Sequence, residues 1–148
     1  MSSYRQLVYH LVFRTKNSVP SLRNEYSPQL YAYIGGIIKN KNSHLIKING
    51  AEDHVHLLTD LHPSLALADF IREIKVSSST WMKASNYFPD FTGWSDGYGA
   101  FTSSYIDIGI LIEYIRMQKE HHAKMSFEDE YRKLILESGL TIDERYFP

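Results

Sequence analysis

The segment from Arg5 to Lys16 constrains the fold most, because its apolar residues would lie on both sides of the strand that it predicts. Successive side chains of a strand point to opposite faces. One face would carry Leu7, Tyr9, Leu11 and Phe13, and the other Val8 and Val12. A strand that is apolar on both faces needs a cover on each face. This segment therefore predicts a central strand in a sheet that is covered on both sides.

The remaining patterns predict an α+β chain. Apolar periodicity favours helices over 29–40 and 65–84, and alternation favours strands over 44–49, 55–61 and 98–103. Capping boxes that begin at Ser104 and Ser126 predict two more helices, one running to about Lys124 and one over 126–138. The order strand-helix-strand-strand-helix-strand is typical of a ferredoxin-like (RRM-like) fold. We therefore expect an antiparallel β-α-β-β-α-β sheet with additional C-terminal helices.

Length and composition limit the classes of protein that remain. The chain has 148 residues, 43% of them hydrophobic, which suits one domain over 1–148 with the helix 126–138 as an extension. The absence of cysteine excludes disulfides, thiolate zinc sites and cysteine nucleophiles. The apolar runs are too short to span a membrane, and the first six residues lack a signal-peptide pattern. A cytoplasmic location is the resulting expectation.

Two histidines stand on the third predicted strand. His54 and His56 are separated by Val55, so their imidazoles would point to the same face of the sheet. Two neutral imidazoles at this spacing can bind one divalent cation. The alternative is a pair of ordinary strand histidines, one of them hydrogen-bonded in the core.

A tyrosine and a glutamine are the second candidate pair. Tyr114 and Gln118 are four residues apart on a predicted helix and therefore share a face, which His121 or His122 continues. Alone, this pattern also fits a partly buried tyrosine with a hydrogen-bonded hydroxyl. Beside a metal held by two histidines, the amide oxygen of Gln118 could be a third ligand, and Tyr114 could attack a phosphodiester. Such an attack would form a phosphotyrosine and free a hydroxyl, and the reverse attack would reseal the strand without ATP.

Five segments with these residues carry a family resemblance: HLVFRTK (10–16), YIGGIIK (33–39), DHVHLL (53–58), GYGAF (97–101) and YIRMQKEHH (114–122). In their order and spacing, the chain resembles the single-tyrosine HUH transposases of the insertion-sequence-200-like family, which includes the REP-associated tyrosine transposases. HUH denotes two histidines around a hydrophobic residue, here Val55.

The resemblance implies a function and a site. His54 and His56 match the metal-binding pair, Tyr114 matches the nucleophile and Gln118 matches the third ligand. It further implies Mg²⁺ or Mn²⁺ as the metal, and cutting and rejoining of single-stranded DNA near hairpins through a 5′-phosphotyrosine. It also implies a homodimer, in which Tyr114 and Gln118 could reach the histidines across the interface.

Candidate DNA contacts combine cations with a ring, as single-strand binding usually does. They are Arg14, Lys16, Lys39, Arg72, Lys75 and Trp94. The alternative is that the cations are solvated surface and that Trp94 fills the core. The net charge of −1 means that DNA binding would need local positive patches.

Two other functions remain open at this point. One is a non-catalytic single-stranded nucleic-acid binder on the same scaffold. The other is a hydrolytic metal phosphoesterase in which Tyr114 has only a structural role. A covalent protein–DNA product separates the transposase from the phosphoesterase, and metal-dependent cleavage separates both enzymes from the binder.

Overall fold

The computed structural model describes residues 3–145 and Phe147. Within them, the strands are β1 (Val8–Arg14), β2 (Leu45–Gly50), β3 (His54–Asp60) and β4 (Gly99–Ser103). The α-helices are α1 (Ser27–Asn40), α2 (Leu67–Ala84), α3 (Ile108–Arg116), α4 (Gln118–Lys124) and α5 (Phe127–Glu137). Short 3-10 turns cover Lys16–Ser18, Asn24–Tyr26 and Tyr105–Asp107.

The four strands form one sheet in the order β2-β3-β1-β4. β1 pairs antiparallel with β3 on one side and with β4 on the other, and β2 pairs antiparallel with β3. This order and the α+β content confirm the predicted ferredoxin-like fold. β1 is a central strand, as its sequence predicted.

The sheet is covered on both faces. On one face, Leu11 and Phe13 of β1 pack in a core that includes Ile34 of α1 and Ile74 of α2. On the other face, Val8 packs with Ile115 of α3, and Val12 packs with Phe127 and Tyr131 of α5. The prediction from the two-sided pattern of β1 is confirmed, and the second face is the one that holds the candidate site.

The predicted continuous helix from Ser104 to about Lys124 is wrong in two respects. Its start is a 3-10 turn, and the Ser104 hydroxyl bonds the Asp107 carboxylate at 3.0 Å instead of capping the backbone. Met117, with φ −91° and ψ 13°, then separates α3 from α4. At this break, the Arg116 carbonyl accepts a hydrogen bond of 2.9 Å from the Asn49 side chain of β2. The bend therefore has a tertiary partner that the local sequence does not show.

The C-terminal helix begins where its capping box predicted. The Ser126 hydroxyl accepts a hydrogen bond from the Asp129 N–H at 3.2 Å, which satisfies one free donor of the first turn of α5. Gly139 follows the helix with φ +79°, a backbone conformation that favours glycine.

None of the helices in the described part of the chain is both long and apolar enough to cross a membrane. Met1 and Ser2 are two of the six N-terminal residues in which no signal-peptide pattern was found, and they lie outside the described residues. Tyr146 and Pro148 also lie outside them. The cytoplasmic location and the single domain over 1–148 stay predictions.

Candidate metal and nucleophile site

β3 places His54 and His56 on the same face of the sheet, towards α3 and α5. Both side chains are buried, and their ring centroids are 5.0 Å apart. The residues between and after them, Val55 and Leu57, point to the opposite core. The alternation of the strand therefore brings two imidazoles together beneath the C-terminal helices.

Glu130 of α5 meets both histidines. Its Oε1 atom lies 3.3 Å from Nε2 of His54 and 3.3 Å from Nε2 of His56. The glutamate is 6% exposed, so its charge is largely withdrawn from water. Buried carboxylates are rare unless they are paired or coordinate a metal.

Gln118, the first residue of α4, joins the same cluster. Its Oε1 atom accepts a hydrogen bond from Nε2 of His54 at 3.0 Å, and its Nε2 donates to Oε2 of Glu130 at 2.9 Å. The side chain is completely buried. The amide oxygen of Gln118, the predicted third ligand, therefore already points to Nε2 of His54.

Tyr114 of α3 reaches the cluster from the same chain. Its hydroxyl donates a short hydrogen bond to Oε2 of Glu130. Its ring lies 5.8 Å from the His56 ring, centroid to centroid. One chain therefore brings Tyr114, Gln118 and both histidines together, so the cluster does not require a residue from a second subunit.

Each histidine also has a hydrogen-bond partner at Nδ1. The Nδ1 atom of His54 lies 2.7 Å from Oδ1 of Asp53, and the Nδ1 atom of His56 lies 2.8 Å from Nε2 of His10. Both rings consequently turn Nε2 towards Glu130. His122, on α4, lies at the edge of the cluster with its ring 5.7 Å from that of His54.

The pKa values of the histidines in the cluster follow from their burial and from the neighbouring carboxylates of Glu130 and Asp53. Burial by itself lowers the pKa of His54, but hydrogen bonds with Asp53, Glu130 and Gln118 outweigh burial and raise the pKa to about 9. Burial lowers the pKa of His56 to about 4 despite its bond to Glu130, and burial with the neighbouring His56 lowers the pKa of His10 to about 3.

The pKa values of the Glu130 carboxylate and the Tyr114 phenol shift in opposite directions. Burial opposes ionisation of Glu130, but hydrogen bonds from His54 and His56 outweigh it and hold the pKa well below its usual range. Burial and the hydrogen bond to Glu130 both raise the pKa of Tyr114. Glu130 is therefore an anion here, and Tyr114 carries its proton.

The donor set fits a divalent cation. His54, His56 and Glu130 each offer one ligand atom, and these atoms lie within 4.8 Å of one another. All three residues are buried, and the amide oxygen of Gln118 adjoins them. Two imidazoles with two oxygen donors can bind a transition ion such as Mn²⁺, and the oxygens also suit Mg²⁺.

The predicted DNA contacts do not form one cluster. Arg14 is opposite His54 in the pairing of β1 with β3, and Lys16 follows it as an exposed residue. Lys39 is exposed at the end of α1, a helix on the other face of the sheet. Only Arg14 and Lys16 therefore lie close to the histidines in the strand pairing.

The other three predicted contacts line a groove of about 520 Å³ between α2 and residues 93–98. Arg72 is exposed and pairs with Asp69. Lys75 donates to the carbonyls of Ser95 and Gly97 at 2.9 and 2.5 Å. The Trp94 ring packs edge-on against Phe13, 4.8 Å between centroids. Lys75 and Trp94 therefore help to hold residues 93–98 in place.

Sequence reasoning missed Glu130 as a site residue. A signal was present, because Phe127, Glu130, Tyr131 and Leu134 are spaced by three and four residues and share one helix face. A glutamate on an otherwise apolar face is unusual and indicates a buried partner. The identity of that partner depends on how α5 folds back over β3, which the sequence pattern does not predict.

Comparisons with known proteins show the family of the chain. The family model for IS200-like transposases matches residues 3–118, and the chain belongs to this family. Glu130 and the rest of α5 lie beyond the matched residues. Among curated proteins, no relative matches the chain.

Two solved structures share the fold. A candidate transposase from Deinococcus radiodurans R1 is 26% identical with a TM-score of 0.61, and the match covers 80% of this chain and 98% of that one. A REP-associated tyrosine transposase, solved with a REP hairpin bound, is 15% identical with a TM-score of 0.62; this match covers 96% and 89%. The second likeness shows a common fold.

Proposed function

We propose that this protein is a metal-dependent transposase that cuts and rejoins single-stranded DNA through a phosphotyrosine at Tyr114. One observation carries the proposal: the Tyr114 hydroxyl and the Nε2 atoms of His54 and His56 all converge on the carboxylate of Glu130. Membership of the IS200-like family supports a DNA-processing enzyme. A nucleophile and a metal site side by side are what such a transfer needs.

His54, His56, Gln118 and Glu130 would hold the metal, for which the family resemblance implies Mg²⁺ or Mn²⁺. A divalent cation bound there supplies charge that stabilises the phosphoryl-transfer transition state and offsets the carboxylate that now keeps Tyr114 protonated. The protein contributes a buried, oriented set of donors. Both imidazoles already present Nε2, and the Gln118 amide is held by Glu130.

Tyr114 would form a bond from its hydroxyl oxygen to the phosphorus of a DNA phosphodiester. The bond from that phosphorus to the 3′ oxygen of the neighbouring nucleotide breaks, and the 3′ oxygen leaves with a proton. The 5′ end stays on the enzyme as a phosphodiester of tyrosine. Attack by a 3′ hydroxyl reverses the step, so the energy of the original bond is conserved.

A single-stranded DNA hairpin is the substrate that we propose. The solved relative with a bound REP hairpin shares the fold, which supports this choice. Arg14 is the predicted contact placed best for a phosphate near the site, because it is opposite His54 in the sheet. The groove lined by Arg72, Lys75 and Trp94 would contact DNA farther from the histidines.

A homodimer is also part of the proposal. The turn before α3 and the first residues of α3 leave large apolar side chains exposed, with Tyr105 at 81%, Ile106 at 85% and Ile110 at 69%. Exposed apolar patches are typical of protein interfaces. Sedimentation of the purified protein tests this part separately from the chemistry.

The central experiment uses the purified full chain with an end-labelled single-stranded hairpin taken from DNA that flanks its gene. With Mn²⁺, we expect a denaturant-resistant, protease-sensitive protein–DNA product, and with EDTA we expect none. Cleavage without a covalent product would favour the hydrolytic phosphoesterase instead. Binding without cleavage would favour the non-catalytic binder.

Mixing two inactive variants tests assembly within one chain. Tyr114→Phe lacks the nucleophile and His56→Ala lacks a metal ligand, so a site built within one chain stays incomplete in every subunit. We expect the mixture to be as inactive as either variant alone. Recovery of about a quarter of the wild-type rate, as random pairing of subunits that share sites would give, contradicts this assembly.

Glu130→Gln tests the carboxylate. The change keeps the shape of the side chain but removes the only negative ligand of the proposed set, so we expect Mn²⁺ affinity to fall at least about tenfold. Titration followed by electron paramagnetic resonance measures this affinity. Glu128→Gln is the matched control, because Glu128 is on the same helix but exposed and paired with Arg132. Equal affinities of the two variants would remove Glu130 from the ligand set.

A further inference from the structure

We infer that His10 is a positioning residue that holds His56 in the ring orientation and tautomer needed to bind the metal through Nε2. The inference rests on the proposed metal site. It assigns a task to a buried histidine of β1 that the proposed chemistry does not otherwise use.

The contact between the two rings is close and well oriented. Nε2 of His10 lies 2.8 Å from Nδ1 of His56, a good hydrogen-bond distance. The ring planes are only 25° apart and the ring centroids are 5.1 Å apart, so the hydrogen bond lies close to the planes of both rings. His10 is 3% exposed, so water offers Nδ1 of His56 little competition. The partner of this nitrogen is therefore set by the fold.

A histidine that binds a metal through one ring nitrogen needs a hydrogen-bond partner at the other. An imidazole that binds a cation through Nε2 must carry its proton on Nδ1, and that proton needs an acceptor. The lone pair on Nε2 of His10 is such an acceptor. The hydrogen bond then selects one of the two tautomers of His56 and prevents its ring from flipping.

His54 shows the same arrangement with a different partner. Its Nδ1 lies 2.7 Å from Oδ1 of Asp53, the carboxylate type that commonly orients metal-binding histidines. Both histidines of the motif thus have Nδ1 occupied and Nε2 turned to Glu130. His10 therefore has the same position relative to His56 as Asp53 has relative to His54, because each partner meets Nδ1 of its histidine.

His10 itself is placed behind the ligands and not among them. In the described residues, two donor groups have suitable mutual distances, one of Asp53, His54 and His122 and one of His54, His56 and Glu130, and His10 belongs to neither. The other side of His10 borders a cavity of about 340 Å³, lined in part by Phe101, Leu111 and Leu134. A larger ring at position 10 therefore has adjoining space.

Two variants separate positioning from packing. His10→Phe keeps an aromatic ring but offers no acceptor, whereas His10→Gln offers a carbonyl oxygen that can accept from Nδ1 of His56. We expect His10→Phe to bind Mn²⁺ about 10- to 100-fold more weakly than wild type, the usual loss for such a partner. His10→Gln should recover most of the affinity. Hairpin binding in EDTA and the melting temperature report on the fold of each variant.

A measurement on the wild-type protein complements the variants. With Mg²⁺ bound, nitrogen NMR should show His56 protonated at Nδ1 and His10 accepting at Nε2. His56 protonated at Nε2 in the Mg²⁺-loaded protein would overturn the inference, as would equal Mn²⁺ affinities for folded His10→Phe and wild type. Absence of Mn²⁺ binding by wild type would overturn the proposed function and this inference with it.

Discussion

Replacing Tyr114 with phenylalanine is expected to abolish the covalent protein–DNA product while the protein stays folded. The substitution removes one oxygen and leaves the ring that packs beside His10 and His56. Loss of the hydrogen bond to Glu130 should cost about 1–3 kcal/mol of stability, which a stable domain tolerates. Without a nucleophile we expect less than about one-thousandth of the wild-type product. Denaturing gel analysis of a labelled hairpin measures it.

Tyr4→Phe is the matched control for this prediction. Tyr4 is 98% exposed before β1 and makes no contact with the cluster in the described structure. We expect wild-type amounts of the covalent product from this variant. A covalent product of normal yield from Tyr114→Phe would show that another residue is the nucleophile.

Replacing both His54 and His56 with alanine is expected to remove metal binding and cleavage together. Each ring provides a nitrogen to the proposed site, and the remaining Gln118 and Glu130 are too few donors to hold a labile divalent ion. Removal of several kcal/mol of transition-state stabilisation corresponds to a rate loss on the order of a thousandfold or more. Mn²⁺ titration and cleavage of the labelled hairpin measure the two effects on the same samples.

The control for the histidines is His44→Ala. His44 precedes β2 and is exposed, and it bonds Asp60 and Thr59 through its own backbone N–H and carbonyl. We expect unchanged Mn²⁺ affinity and cleavage. The double variant should still bind the hairpin in EDTA, because the proposed DNA contacts are other side chains. Metal-dependent cleavage that survives the double substitution would contradict the proposed metal site.

Much of the fold was predictable because strand and helix periodicities agree with their tertiary setting. The two-sided apolar pattern of β1 indicated a central strand, and the structure places it between β3 and β4. The break at Met117 was not predictable, because its partner is Asn49 on a distant strand. Local helix signals on both sides of Met117 are continuous, so sequence alone favoured one helix.

The candidate site was predictable only as far as short-range spacing reaches. His54 and His56 share a face because a strand alternates. The prediction of one helix face for Tyr114 and Gln118 was wrong, because the break at Met117 puts them on α3 and α4. Both instead meet the cluster through hydrogen bonds to Glu130. Glu130 and His10 enter through contacts over 74 and 46 residues of sequence. The packing of α5 creates the first contact. The second arises because His10 on β1 is a diagonal neighbour of His56 on β3. No local pattern encodes either contact.

Mapping the DNA-linked residue tests the central claim most directly. The covalent product formed with Mn²⁺ is digested with trypsin and nuclease, and the modified peptide is fragmented in a mass spectrometer. Trypsin should cut after Lys83 and Arg116, which places Tyr114 on one peptide with Tyr87, Tyr98 and Tyr105. We expect the nucleotide on Tyr114 alone. A nucleotide on any other residue, or cleaved DNA with no modified peptide, would contradict the account.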